Sequence, residues 1–534
     1  MNAAWKTVKM GEVLRHRKEF TTINDLRNVM SEFTTAQSLG SLLKSARDIM
    51  RKDKGLNGDI DRLPLLTWIM FLKFLDDLEI QREGEAKLAG KTFKPAIEAP
   101  YRWRDWAART DGVTGDELLS FINNEAAVLP DGSRGPGLFP YLRSLSGIGG
   151  DDRRDVIAAM FKGVDSRMKS GYLLRDIINK IGGIHFSSSD ELHTLGALYE
   201  SMLREMRDAA GDSGEFYTPR PVVRFMVKVT DPRLGETVLD PASGTGGFLV
   251  EAYNHLAAQV KTVADRKILQ ERSIFGCEPK PLPYLLCQMN LLLHGLDAPQ
   301  IDSGNALRHK LTDIGERERV DVILTNPPFG GEEERGIQGN FPDDKQTAET
   351  ALLFLQLIMR KLRRRGGKAR AAVVVPNGTL FGDGVCARIK EELLAEFNLH
   401  TIVRLPNGVF APYTGIPTNI LFFDRSGATR DVWYYEQPLP EGRKNYTKSA
   451  PIQFDEFAAC IEWWNKREEN ERAWKVSATE LLANGCNLDR KNPRGKEDIA
   501  HLPPEEIAAG ILEKERRIAE IMENIQRLLT RRAP

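Results

Sequence analysis

The chain has no excess charge of either sign, few cysteines and no long apolar run, and each shortage closes off a class of function. Its 534 residues carry 75 basic and 75 acidic side chains, so the formal net charge is zero. Bulk electrostatics therefore cannot hold a polyanion; a segregated basic face or a partner chain would have to do so. The five cysteines, Cys277, Cys287, Cys386, Cys460 and Cys486, form no C-x-x-C pair and have no histidine at ligand spacing. They read as reduced core thiols, and no metal site is expected. No apolar stretch approaches the about 18 residues that a membrane helix needs, and the first residues are charged rather than signal-like. Those absences point to a cytoplasmic protein with no membrane contact.

What is present is ordinary soluble composition, 41% apolar and 28% charged, in a chain long enough for about three domains. A short basic arm occupies 1–20, and a mainly helical domain is expected over 21–194. Within it Leu63–Leu75 is apolar nearly all round, which predicts a helix buried inside a bundle. From 195 to 430 short β-branched runs alternate with helical stretches, at Thr237–Leu239, Ser273–Gly276, Val320–Leu324, Ala371–Val375, His400–Leu405 and Thr418–Phe423. Such alternation predicts a mostly parallel sheet with helices on both faces. An irregular tail is expected over 431–502. A final amphipathic helix over 503–534, opened by Pro503-Pro504-Glu-Glu, is expected to dock on another helix or subunit.

Two loops carry the chemistry. Asp240-Pro-Ala-Ser-Gly-Thr-Gly-Gly-Phe248 follows an apolar strand and leads into a helix, with glycines where a ligand would need close approach to backbone N–H groups. Asp240 at its start disfavours a phosphate and suits a cationic amino-acid moiety. Glu278, ending the next strand, is placed to accept hydrogen bonds from ribose hydroxyls. Asn305, after the third strand, is placed to cap an adenine. Upstream, Gly214–Phe225 joins an aromatic and two prolines ahead of a helix, as a segment closing over a cofactor would.

The second loop is Asn326-Pro327-Pro328-Phe329, after the apolar run Val320–Leu324. Both loops should open on the carboxyl edge of one sheet, where α/β folds bind ligands. An exocyclic aromatic amine is a weak nucleophile because its lone pair is delocalised. Acceptance of both amine hydrogens, by the Asn326 side-chain oxygen and the Pro327 carbonyl, would favour the tetrahedral nitrogen that attack requires. Phe329 would stack on the base, which must leave the duplex to arrive there. A basic run, Arg360–Arg370, could serve a helix end or a DNA backbone.

Taken together, Glu215-Phe-Tyr-Thr-Pro-Arg220, the Asp240–Phe248 loop, Glu278, Asn326–Phe329, Leu405-Pro-Asn-Gly-Val-Phe-x-Pro-Tyr413 and Thr418–Phe423 resemble the modification subunit of type I restriction-modification systems. That family is an S-adenosylmethionine-dependent DNA adenine-N6 methyltransferase. The resemblance implies an α/β, seven-stranded Rossmann-like methyltransferase sheet with one antiparallel strand, a helical amino-terminal domain and a helical carboxyl tail. It also implies double-stranded DNA as substrate, two copies of the chain per specificity subunit, and a restriction subunit as a further partner. By the same likeness Glu215, Phe216, Tyr217, Thr218, Pro219, Arg220, Ser243, Gly244, Thr245, Gly246 and Glu278 contact the cofactor. Asn326, Pro327, Pro328 and Phe329 serve the adenine, with Phe410 helping to hold it. Residues 1–20 are similar to the opening of a specificity subunit. Two alternatives stand beside this reading: a cytosine-N4 methyltransferase, and a non-catalytic scaffold that binds the cofactor and licenses a partner nuclease.

Overall fold

The computed structural model describes residues 36–88, 90, 92–146, 153–162, 164–184, 218–364, 366–411, 414–447, 449–494 and 512–523. The amino-terminal region is helical, with α1 (Ala36–Met50), α2 (Asp59–Leu88), α3 (Gly115–Asn123), α4 (Leu138–Ser144), α5 (Arg153–Phe161) and α6 (Gly171–Gly182). A two-stranded hairpin, Ala127–Val128 with Arg134–Gly135, interrupts them. The apolar run predicted to be buried lies in α2, where Leu65, Leu66, Trp68, Ile69, Met70, Phe71, Leu72, Phe74 and Leu75 are all buried. A helix apolar on every side needs neighbours on every side, and α2 has them in one large core.

The second half begins with α7 (Arg220–Thr230) and alternates strand and helix: β1 (Val238–Asp240), α8 (Gly247–Ala257), α9 (Val263–Arg272), β2 (Ile274–Cys277), α10 (Pro281–Leu293), β3 (Gln300–Asp302), β4 (Val322–Thr325), α11 (Thr350–Lys361), β5 (Arg370–Pro376), α12 (Asn377–Phe381), α13 (Val385–Glu396), β6 (Asn398–Arg404) and β7 (Thr418–Asp424). Two more strands follow, β8 (Asp431–Glu436) and β9 (Ala473–Ser477), with α14 (Ala458–Asn465) between them. The sheet order is β9-β8-β6-β7-β5-β4-β1-β2-β3. Strand β7 runs antiparallel to both β5 and β6, and β9 antiparallel to β8; the other pairings are parallel. Side chains alternate between the two faces as the period of two demands. Val322 and Leu324 join the core with α7 and α8, while Ile323 joins the one with α11 and α13.

Among the described residues nine strands stand in the sheet where seven were expected, and two of them, Asp431–Glu436 and Ala473–Ser477, fall within the stretch expected to be an irregular tail. Asp431–Glu436 pairs parallel with β6, and Ala473–Ser477 closes on it. Strand β8 alternates faces, with Val432 and Tyr434 on one side and Trp433 and Tyr435 on the other, and Tyr434 stacks on Trp474 at 5.2 Å. The two strands are some 36 residues apart in the chain, so no hairpin signal marks them. The first seven strands alone have the expected single antiparallel member, β7.

Helix α10 joins the two halves. Leu285, Leu286, Met289, Leu292 and Leu293 pack into the core of the helical region, while Cys287 and Leu291 belong to the sheet core. Arg82 and Arg153 reach Asp297 across the same seam. Residues 512–523 form a helix whose Leu512, Ile518, Ile521 and Met522 are exposed. The expected basic arm at 1–20 lies outside the described residues.

Candidate active site

Strand order reverses beside β1: the chain runs β1, β2, β3 to one side and then returns to place β4 on the other. The crevice at such a switch point is where open α/β sheets bind ligands. The glycine loop leaves β1 and the Asn326 loop leaves β4, so the two predicted half-sites flank that point. A hydrogen bond joins them: Thr325 Oγ1 donates to Asp240 Oδ1 at 2.7 Å, with both residues buried. Asp240 Oδ1 also accepts from the Ala242 N–H at 3.0 Å.

Around the glycine loop, left-handed φ values of +53° at Gly244 and +80° at Gly246 turn the strand into α8. A Cβ at Gly246 would meet the Cys287 sulfur at 2.8 Å, so glycine is required there twice over. Ser243 Oγ donates to the Asp240 carbonyl and accepts from the Cys277 N–H, tying the loop to β2. Buried Asn290 of α10 donates to the Thr245 carbonyl at 2.9 Å. Glu278 takes the Gly244 N–H on one oxygen and the Lys280 N–H on the other, both at 2.9 Å. Burial pushes the carboxyls of Asp240 and Glu278 up to about 7, because few charges offset their desolvation. Two such acids on adjacent strand ends fit a cationic ligand with hydroxyl donors.

On the other side, Pro327 is buried and Phe329 half-buried, its ring edge-on to buried Phe410 at 5.8 Å and 70°. The Asn326 amide nitrogen donates to Thr218 Oγ1 at 3.0 Å. Its Oδ1 is buried with no partner among the described residues. An unpaired buried acceptor costs about 1–3 kcal/mol, which a ligand that donates to it would recover.

A family model described as N-6 DNA Methylase matches residues 190–501, and one described as HsdM N-terminal domain matches 39–181. The methylase subunit of the type I restriction enzyme EcoEI from Escherichia coli is 48% identical over 502 residues, 92% of this chain and 98% of that one. The chain belongs to the type I modification subunits. The EcoKI methylase subunit of Escherichia coli K12 is 31% identical over 68% of this chain and 67% of its own. A modification subunit of a type I restriction enzyme from Vibrio vulnificus YJ016 superposes with a TM-score of 0.83 at 69% identity, covering 88% of this chain and 99% of that one. A chain from a type I restriction-modification complex matches at 0.74 and 42% identity, over 94% and 100%. Membership makes this protein an N6 DNA methyltransferase, with the helical front and α/β sheet of its relatives.

In this modification subunit the predicted residues fall into distinct situations. Asp240, Ser243, Gly244, Thr245, Gly246 and Glu278 lie together where β1 and β2 end, and Asn326, Pro327, Pro328 and Phe329 follow β4, with Phe329 against Phe410. Glu215, Phe216 and Tyr217 lie outside the described residues, as do Pro412 and Tyr413. Thr218 and Arg220 do not stand together on the glycine loop: Thr218 bonds Asn326, and Arg220 donates to the Gly247 carbonyl at the start of α8. Asn305 accepts the Leu307 N–H on its side-chain oxygen, so its amide nitrogen is the end left to offer a ligand. Sequence reasoning missed Thr325; a polar residue closing an otherwise apolar strand, directly before Asn326, was its signal.

Members of the basic run stand at two helix ends, Arg360 and Lys361 in the last turn of α11 and Arg370 at the end of α7. Arg360 donates to the Leu311 carbonyl, and from outside the run Arg425 and Arg319 donate to the Met359 and Leu362 carbonyls at the end of α11. Arg370 caps α7 through the Thr230 and Asp231 carbonyls and pairs with Glu236 at 2.8 Å. Cations at carboxyl ends of helices are where the helix dipole favours them. A cavity of about 460 Å³ opens at the seam between the two halves, lined by Pro64, Leu65, Val164, Pro279, Tyr284 and Ser303 among others, but by neither the Asp240 nor the Asn326 loop.

Proposed function

We propose that this subunit transfers a methyl group from S-adenosylmethionine to N6 of a flipped adenine in a specific DNA site. The observation that carries the reading is the buried, unpartnered Asn326 Oδ1 beside Pro327 and Phe329, one hydrogen-bonded step from the glycine loop. S-adenosylmethionine supplies an electrophilic methyl on a sulfonium, and its cationic methionine end suits Asp240 and its ribose suits Glu278. Asn326 Oδ1 and the Pro327 carbonyl accept the two amine hydrogens, so the nitrogen lone pair becomes available to the methyl. Phe329, braced edge-on by Phe410, presents a face to the base. The methylated nitrogen then loses a proton to water, and no general base is needed before transfer.

A chain with no net charge needs help to hold DNA, and a specificity subunit supplies it in this reading, with two modification subunits on each. A restriction subunit would join the same assembly. The helix at 512–523, with its exposed Ile518 and Ile521, is the element we assign to subunit docking. The test is methyl transfer from labelled S-adenosylmethionine to DNA, with and without the neighbouring specificity subunit, followed by mass spectrometry of the nucleosides. N6-methyladenine formed with the partner supports the reading. N4-methylcytosine, or cofactor binding with no methylated base in the full complex, refutes it.

The two raised carboxyls give a pH dependence with opposite signs for stability and binding. Their folded values near 7 lie above the ordinary 3.8 and 4.5, so the folded chain holds more protons than the unfolded one between those limits. Stability of the ligand-free subunit from these groups therefore falls as pH rises from about 4 to about 7. A cationic ligand prefers the ionised pair, so S-adenosylmethionine binding should tighten between about pH 6 and pH 8. Calorimetric titration across that range checks it, and Asp240→Asn should flatten the binding trend. A pH-independent affinity in the wild type would remove the case for ionised Asp240 and Glu278 at the cofactor.

A further inference from the structure

The segment opening the catalytic half touches both loops within three residues. Thr218 accepts from Asn326 and Arg220 donates to the Gly247 carbonyl. Pro219 lies between them with φ of −53°, and Pro221 sits in the first turn of α7, so this strap has little torsional freedom. Thr218 and Asn326 are 108 positions apart in the chain, and the bond between them is part-buried.

An asparagine amide has one acceptor end and one donor end, and the reaction tolerates one orientation only. With Oδ1 toward the amine, a hydrogen of the substrate is accepted; with Nδ2 there, donor would face donor. Thr218 Oγ1 takes the Nδ2 end, and Oδ1 is the atom left without a partner. The backbone beneath is fixed separately, since Thr325 is tied to Asp240. Asn326 is thus held at its main chain from the cofactor side and at its amide from the strap.

We propose that Thr218 is a positioning residue for methyl transfer, holding the Asn326 side chain by its amide nitrogen and leaving the oxygen for the acceptor amine. This rests on the function proposed above, and it moves Thr218 from the cofactor, where the sequence placed it, to the acceptor. The hydroxyl works through Asn326 and touches neither reactant.

The experiment uses the reconstituted complex with its specificity subunit and DNA, comparing wild type, Thr218→Val, Thr218→Ser, Asn326→Ala and the Thr218→Val/Asn326→Ala double variant. Valine keeps the shape and removes the hydroxyl. Thr218→Val should lower kcat by about 10–100-fold, the scale of a misplaced reacting group, while the Kd for S-adenosylmethionine stays within about threefold. Thr218→Ser should restore most of the rate, and the double variant should be no slower than Asn326→Ala alone, because the hydroxyl acts only through that amide. An unchanged kcat in Thr218→Val overturns the proposal. So does a cofactor Kd that weakens in step with kcat, which would return Thr218 to the cofactor, or an additive double variant. A wild-type complex that binds cofactor and DNA but forms no methylated base overturns the proposed function and this inference together.

Discussion

Replacing Asn326 with alanine should slow methyl transfer by about 10²–10³-fold, the usual effect of removing one preorganised hydrogen-bonding group from a reacting centre. The substitution deletes Oδ1, the buried acceptor that no donor among the described residues uses. It leaves the loop in place, because Thr325 keeps its bond to Asp240 and Pro327 stays buried. Cofactor affinity should therefore hold within about twofold, so the loss falls on kcat. Folding stability should not drop either, since an unpaired buried oxygen is removed along with a single hydrogen bond to Thr218. Single-turnover rates beside calorimetric binding separate the two terms. Methylation at wild-type rate in Asn326→Ala would show that the loop has no chemical task and would remove it from the acceptor site.

The largest effect on stability is expected from Arg175, in the helical amino-terminal region. This α6 side chain is buried and donates to four carbonyls, those of Trp106, Ala107, Arg109 and Val113, at 2.7–3.3 Å. Burial lowers its pKa from the ordinary arginine value, so its charge is retained at a cost that those dipoles offset. Gly112 is part of the same arrangement, for a Cβ there would come within 2.5 Å of the guanidinium. Arg175→Leu keeps an apolar body on α6 but takes a donor from four carbonyls at once, of which, among the described residues, only that of Arg109 keeps another, the Gly112 N–H. Part of the 106–113 segment can turn to water, so the net loss should be about 3 kcal/mol rather than the sum over four groups. For a domain of this size that lowers the melting temperature by about 6–12 °C. Arg175→Lys, with fewer donors in no planar fork, should recover only part of it. Methyl transfer per folded molecule should be unchanged. A shift of under a degree or two in Arg175→Leu would mean that water serves those carbonyls equally well.

Much of this architecture was legible because the signals are local. Strands β1, β2, β4, β5, β6 and β7 each follow from a short apolar run beside a turn, and the buried part of α2 from thirteen residues with barely a polar break. The glycines of the Asp240 loop announce a left-handed turn, and Gly244 and Gly246 adopt it. Strand β3 carries only Ile301 as a buried apolar side chain, and β9 lies far along the chain from its partner, so neither declares itself. Strand β8 shows its aromatics, but aromatic residues mark a packed surface without saying which strand they will meet.

The types of residue and their order determined the chemistry: an acid and glycines after one strand, an asparagine and two prolines after another. The tertiary structure decided what those residues hold. It joined Thr325 to Asp240 across 85 positions and Thr218 to Asn326 across 108, and it set Arg175 among carbonyls more than 60 positions away. Periodicity and turn chemistry act over a few residues and can be read along the chain. A hydrogen bond between distant segments exists only once sheet order and domain packing have brought its two ends within about 3 Å.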